Sequence, residues 1–201
     1  MNRNANRGEL RAALRERRRA LDAPARTRLS RAIVRQLLRA LGPMARGARI
    51  AGYAALPEEP DIAPALDALM RRGAQIYLPR ITSYRRRTMV FAAVGGALRG
   101  NRHGIPEPAS GSVVLRAQAL DIVLAPLVGF DHHGTRLGMG GGYYDRAFAF
   151  RRRRHAPARP RLIGIAFACQ QVDALPGAAH DVRLDAVITE HGLTRFRRST
   201  R

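Results

Sequence analysis

The residue types best able to do chemistry lie together in residues 136–146, which read RLGMGGGYYDR. Gly138, Gly140, Gly141 and Gly142 let backbone N–H groups approach an anion closely, Arg136 adds a fixed cation at the entrance, and Tyr143, Tyr144 and Asp145 follow at once. Ahead of the loop, DIVLAPLVGFD, bounded by Asp121 and Asp131, has the length and β-branched content of a strand buried on both faces. Tyr143 onward reads as a helix. Strand, glycine loop and helix N-terminus in that order form a phosphate cradle. The glycines do not spell a dinucleotide fingerprint, because Tyr143 stands where the third glycine would fall. A Walker A loop is excluded, since the chain has no lysine. A tight turn without a ligand is the alternative for the glycines alone, and Arg136, the paired tyrosines and Asp145 weigh against it.

Other chemistries have little support. None of the six histidines has a zinc-type spacing, and no serine sits in a nucleophile elbow. His132 and His133 read as loop residues. The single cysteine, Cys169, has no disulfide partner in the chain and reads as a small core residue. The formal charge of +21 invites a nucleic-acid reading. Against it, every cation is Arg, and the arginines are scattered apart from RERRR, RRR and RRRR. With aromatics at 5% and no Trp, few stacking platforms exist. We expect salt-sensitive, non-specific retention of polyanions but no specific nucleic-acid partner. No apolar run approaches a membrane span of about 18 residues, and the Arg-rich start lacks the apolar centre of a signal peptide. The expectation is a cytoplasmic protein.

The elements that must position the loop are those of one α/β domain over residues 1–201, with 46% hydrophobic residues for its core. A helix from about Gly8 to Leu21 places Leu10, Leu14 and Leu21 on one stripe, and Asp22 with Pro24 starts a second helix that ends at Gly42-Pro43. ARIAGYA reads as the first strand. A PEEPD loop leads from it into a helix capped by Asp61 and ending near Gly73. AQIYLPRI and MVFAAVG follow as strands, then a loop from Gly95 to Ser110. The helix from Tyr143 is read as ending in Arg151 to Arg154, HAPARPR as a linker, and RLIGIAFA and LDAVITE as the closing strands. The alternation implies a mainly parallel, doubly wound sheet with helices on both faces.

The segment LVGFDHHGTRLGMGGGYYDR strongly resembles the signature of the 5-formyltetrahydrofolate cyclo-ligase (5,10-methenyltetrahydrofolate synthetase) family. RGELR at Arg7, YAALPEEPDI at Tyr53, LPRI at Leu78, GIPEP at Gly104, GIAFACQ at Gly164 and HDVRLDAVITE at His180 extend the resemblance in order over about residues 7–193. It implies a Rossmann-like fold related to sugar-phosphate isomerases and CoA transferases. The implied reaction converts 5-formyltetrahydrofolate and ATP to 5,10-methenyltetrahydrofolate, ADP and phosphate, with Mg2+; we expect the chain to act as a monomer, although the sequence itself does not give the oligomeric state. It further implies an ATP site of Arg7, Gly8, Glu9, Leu10 and Arg11 together with Arg136, Leu137, Gly138, Met139, Gly140, Gly141, Gly142, Tyr143 and Tyr144. In the family the helix pair is usually Lys and Arg. Two cations four residues apart share a helix face, which suits a polyphosphate, although solvated arginines would look the same. Ala54, Glu59 and Tyr143 are implied at the folate, with Glu58 a competing carboxylate, and Asp145 and Asp181 at the magnesium ion. Arg136 is the expected contact of the transferred γ-phosphoryl group.

Overall fold

The computed structural model describes residues 3–102, 104–109, 111–152 and 159–196. Two amphipathic helices come first: α1 (Arg3–Arg19) and α2 (Ala23–Leu41). Asp22 caps α2, its carboxylate accepting from the Ala25 amide at 2.7 Å. β1 (Arg49–Ala51), α3 (Ala63–Arg71), β2 (Gln75–Ser83) and β3 (Thr88–Ala93) follow. Next come β4 (Leu98–Gly100), β5 (Pro106–Pro108), β6 (Val114–Leu115) and β7 (Ile122–Pro126). The chain continues through β8 (Gly129–Phe130), β9 (Arg136–Leu137), α4 (Tyr143–Ala147), β10 (Arg161–Ile165), β11 (Ala186–Thr189) and β12 (Gly192–Arg195).

Eight strands form one sheet in the order β12-β11-β10-β7-β1-β2-β3-β6. The five inner strands, β11-β10-β7-β1-β2, are parallel, and β12, β3 and β6 add antiparallel pairs at the two edges. Side chains alternate across the sheet. Ile50, Ile122, Leu124, Ile163 and Ile188 pack under α2 and α3 with Ile33, Leu37 and Leu69. Ala51, Val123, Ala125, Leu162 and Val187 face the other way, onto Phe91, Phe130 and Phe148. The burial of β7 on both faces is the expected one.

Strand order reverses between β1 and β7, because the chain leaves β1 toward β2 and leaves β7 toward β10. Loops at the carboxyl ends of two such strands diverge and leave a crevice, the usual ligand position in open α/β sheets. The PEEPD loop follows β1, the glycine loop follows β7, and α1 packs across the latter through Leu14 against Val128, Leu137 and Leu175.

Several expectations are corrected. α1 begins at Arg3 rather than Gly8. The cap of α3 is Ile62, with Asp61 one residue earlier, although its carboxylate still accepts from the Ala63 amide at 2.9 Å. The stretch after Gly95 is not all loop: β4 and β5 form a hairpin, and Glu107 accepts from the Ile81 amide and the Asn101 side chain. The glycine loop is separated from β7 by the small β8–β9 hairpin, tied by Asp131, which accepts from the amides of His133, Thr135 and Leu175. The helix at Tyr143 stops at Ala147, because Phe148 turns inward to full burial against Phe91 and Tyr144. A 3-10 turn, Ala149–Arg152, follows, and Arg151 pairs with Asp185 at 2.7 Å instead of offsetting a helix dipole. Arg153, Arg154 and the first part of HAPARPR lie outside the described residues.

Candidate active site

The inner face of α1 carries Arg7, Arg11, Leu14 and Arg18, at successive spacings of four, three and four residues. Arg7 reaches the loop before β11, donating to Asp181 Oδ2 and to the Pro176 carbonyl, both at 2.7 Å. Arg11 Nε donates to the Gly138 carbonyl at 2.8 Å. Burial and the charge of Arg7 together hold the Arg11 guanidinium below its ordinary pKa, so the two cations sense one another. Gly8 and Glu9 turn outward and are exposed, while Leu10 packs beside Leu14. On this face of the helix the two arginines are the residues that reach the later loops.

Arg136 is buried at the start of β9, where Nη2 donates to Asp145 Oδ1 at 2.9 Å and its guanidinium lies 5.2 Å from the centre of the Tyr144 ring. A Cβ at Gly138 would lie 3.2 Å from Arg136 Nη1, and one at Gly140 would lie 3.6 Å from Arg11 Cζ. The loop therefore runs between two guanidinium groups. Gly140 (φ 95°) and Gly142 (φ 69°) take left-handed conformations that favour glycine. None of the amides of residues 138–142 donates a hydrogen bond to another described residue, so five donors are free for an anion. α4 has only five residues and offers little dipole, so the cationic character comes from side chains and loop amides rather than from a helix end. Met139 is exposed, Leu137 is a core residue, and Tyr143 lies half-buried across Gly141.

Across the crevice, Glu59 is buried on the loop from β1, and its Oε2 accepts from the Leu56 amide at 3.1 Å. Burial pushes its carboxyl up, the Leu56 amide and Arg18 pull it down, Glu58 pushes it up again, and it ends above its ordinary value. Tyr53 donates to the Pro60 carbonyl at 2.8 Å and fixes the loop; burial first, then Glu59 and Tyr144, push its phenol up. Ala54 is half-buried beside it. Among the described residues, the buried Tyr144 hydroxyl has no partner and Arg136 Nε is likewise unpartnered. Such donors are costly to bury unless something else receives them.

The fold brings Asp145 and Asp181 close together, because Asp145 Oδ1 also accepts from the Val182 amide at 3.3 Å. They fit a magnesium ion unequally. Asp145 keeps Oδ2 without a hydrogen bond among the described residues, which suits Mg2+, an ion that needs only one or two carboxylates beside phosphate and water. Asp181 has both oxygens engaged by Arg7, and Oδ2 also by the Ala178 amide at 2.8 Å. Among the described residues no group of three or more His, Cys, Asp or Glu could hold a metal.

Sequence reasoning missed two residues. Gln170 is fully buried, donating to the carbonyls of Leu127 and Val128 and accepting from the Phe167 amide, so it locks the entry to the β8–β9 hairpin. Its signal was its place in GIAFACQ. Arg18 is also fully buried, 3.2 Å from Glu58. Its signal was helical spacing from Leu14, hidden by the surrounding arginines.

A mainly parallel, doubly wound sheet with a cationic, glycine-lined crevice at its switch point defines the class: an α/β domain of the Rossmann-like kind. The family follows from comparison. A model of the 5-formyltetrahydrofolate cyclo-ligase family matches residues 3–190, and the chain belongs to that family. The 5-formyltetrahydrofolate cyclo-ligase of Escherichia coli K12 is 32% identical over 179 residues, spanning 88% of this chain and 96% of that protein. The Mus musculus protein of the same name is 29% identical over 195 residues, spanning 93% and 94%. Among solved structures, the Aquifex aeolicus 5,10-methenyltetrahydrofolate synthetase superposes with a TM-score of 0.80 at 27% identity, covering 96% of this chain and 94% of that one. The Mycoplasma pneumoniae 5,10-methenyltetrahydrofolate synthetase gives 0.71 at 26% identity, covering 94% and 99%.

Proposed function

We propose that this chain converts 5-formyltetrahydrofolate to 5,10-methenyltetrahydrofolate, coupled to ATP giving ADP and phosphate. Membership of the cyclo-ligase family carries the reading, and the free amides of the glycine loop between Arg11 and Arg136 support the nucleotide part of it. The formyl oxygen forms a bond to the γ-phosphorus as the bond to the ADP oxygen breaks. The neighbouring nitrogen then attacks the formyl carbon and gives up its proton, which leaves with the phosphate or to water, as the carbon–oxygen bond breaks to release phosphate. No protein nucleophile is needed, so catalysis consists of positioning and charge stabilisation.

Each residue then has a task. Arg136 faces the charge that develops on the transferred phosphoryl group, with Arg11 and the amides of residues 138–142 holding the remaining phosphates. Arg7 adds a cation at the far end, where it also orders Asp181. Glu59 accepts the N–H donors of the pterin, with Ala54 and Tyr143 lining the same pocket. Asp145 would hold Mg2+, with Asp181 beside it, and a bound ion would supply charge neutralisation on the phosphates. The proposal takes the chain to act as a monomer, since both subsites are built from one chain, and in the cytoplasm. The deciding assay follows the absorbance of the methenyl product with and without ATP. Product formation that needs both ATP and 5-formyltetrahydrofolate supports the reading, and its absence with folded protein overturns it.

A further inference from the structure

Glu58 and Glu59 are adjacent carboxylates turned into the protein, with side chains 19% and 6% exposed. Two such groups repel, and burial worsens the repulsion. Between them lies Arg18, whose side chain is 0% exposed, with Nη2 3.2 Å from Glu58 Oε1 and Nη1 3.7 Å from Glu59 Oε1. Nη1 also donates to the Leu127 carbonyl, where the chain leaves β7 for the signature hairpin, at 3.5 Å. Arg15 approaches Glu58 Oε1 from the rim at 3.7 Å. One buried guanidinium thus spans the loop after β1 and the segment after β7, the two walls of the crevice.

We propose that Arg18 is a positioning residue for folate recognition, its buried fork holding the Glu58–Glu59 pair in one orientation so that Glu59 meets the pterin as an oriented carboxylate. The inference rests on the proposed function above. A plain structural role explains the arrangement poorly. Buried ion pairs rarely stabilise more than apolar side chains of the same volume, and position 18 continues the stripe of Leu10 and Leu14, where an apolar residue would pack. Arg18 instead leaves Nε buried without a hydrogen bond among the described residues, and its Nη2 meets Glu58 as an ion pair at 3.2 Å rather than as an aligned hydrogen bond. That arrangement is costly to maintain, and it makes sense where the carboxylate it holds has a use. Glu59 faces Glu58, Tyr53 and Tyr144 as well as Arg18, and Arg136 lies over Tyr144. Of the cations in this group, Arg18 is the one that directly lowers the pKa of Glu59.

The test measures kcat and KM for folate and for ATP from about pH 6 to about pH 9 in wild type, Arg18→Met and Arg18→Lys. In Arg18→Met, Glu59 loses the one cation that lowers its pKa, and its carboxyl moves further above its ordinary value. The folate KM at about pH 7 rises about tenfold or more, recovers as the pH rises, and the ATP KM stays at the wild-type value. Adding Glu58→Gln to Arg18→Met removes the repelling neighbour and moves the midpoint of the folate profile back down, which a purely structural residue would not do. Arg18→Lys keeps the charge but reaches one carboxylate, and its folate KM falls between the other two. A folate profile superimposable on wild type in Arg18→Met overturns the proposal, as does an ATP KM that rises in step with it. Should Arg18→Met fail to fold, a folate KM for Arg18→Lys equal to wild type at every pH overturns it alone. A wild-type protein that makes no methenyl product defeats the functional reading instead, so the two failures are distinct.

Discussion

Arg11 Nε donates to the carbonyl of Gly138 at 2.8 Å, tying the first helix to a loop 127 residues later in the chain. Gly138 in turn lies against Arg136, so the helix, the loop and the start of β9 form one cationic wall. The partners of these residues make the assignments testable one at a time.

Arg136→Ala should lower turnover by about 10²–10³, the scale for losing one preorganised charge donor, with the far-ultraviolet circular dichroism unchanged. Loss of the Asp145 pairing adds a small destabilisation that a melting curve would report separately. A turnover number equal to wild type removes Arg136 from the site.

Glu59→Gln should raise the folate KM by about tenfold while leaving the ATP KM nearly unchanged, because it removes a charged acceptor and touches no phosphate. Steady-state kinetics with each substrate varied in turn provide the check. A weakened ATP affinity would mean that Glu59 belongs to the other subsite.

The two aspartates should separate. Asp145→Asn should shift the magnesium titration of activity to higher concentration, since Oδ2 of this residue is open to a cation. Asp181→Asn weakens the bidentate pairing with Arg7, and its main effect should be a lower melting temperature. Equal magnesium titrations for wild type and Asp145→Asn would demote Asp145 to a partner of Arg136.

Asp121 supplies a pH dependence away from the site. Burial pushes its carboxyl up, but hydrogen bonds from the Arg49 side chain and amide, with Arg159 beyond, outweigh this and leave it below the ordinary value. A lowered folded pKa contributes stability above the unfolded value, near 4, that is lost as pH falls through the folded one. Asp121→Asn should therefore lower Tm at neutral pH and converge with wild type in acid. Arg49 and Arg159 lie largely in solvent and are screened, so the drop should be small, about 2–4 °C. A difference that persists below about pH 2 would assign the effect to packing.

Much of this was legible because β-branched runs, glycines and capping residues act locally. Asp22 caps α2 as read, and the buried run at β7 is the central strand; that the glycine loop lies at the switch point follows only from the strand order. The errors come from tertiary partners. Tyr143 onward has helical character, yet Phe148 is drawn into a cluster with Phe91 that no local signal announces. The strand read through Phe130 ends at Pro126, and Asp131 organises a hairpin that depends on a distant amide, Leu175. In α1 the hydrophobic stripe was visible, but an arginine on that stripe is assigned to solvent by its type, and Arg18 is buried only because the Glu58–Glu59 loop arrives beside it.

The central claim concerns one oxygen atom, and it can be followed directly. Substrate carrying heavy oxygen in the formyl group, turned over with ATP in ordinary water, should yield inorganic phosphate that carries the label, because the formyl oxygen is phosphorylated and leaves with the phosphorus. Unlabelled phosphate with the label recovered in water would mean that ATP is hydrolysed beside the cyclisation rather than through it, contradicting the mechanism.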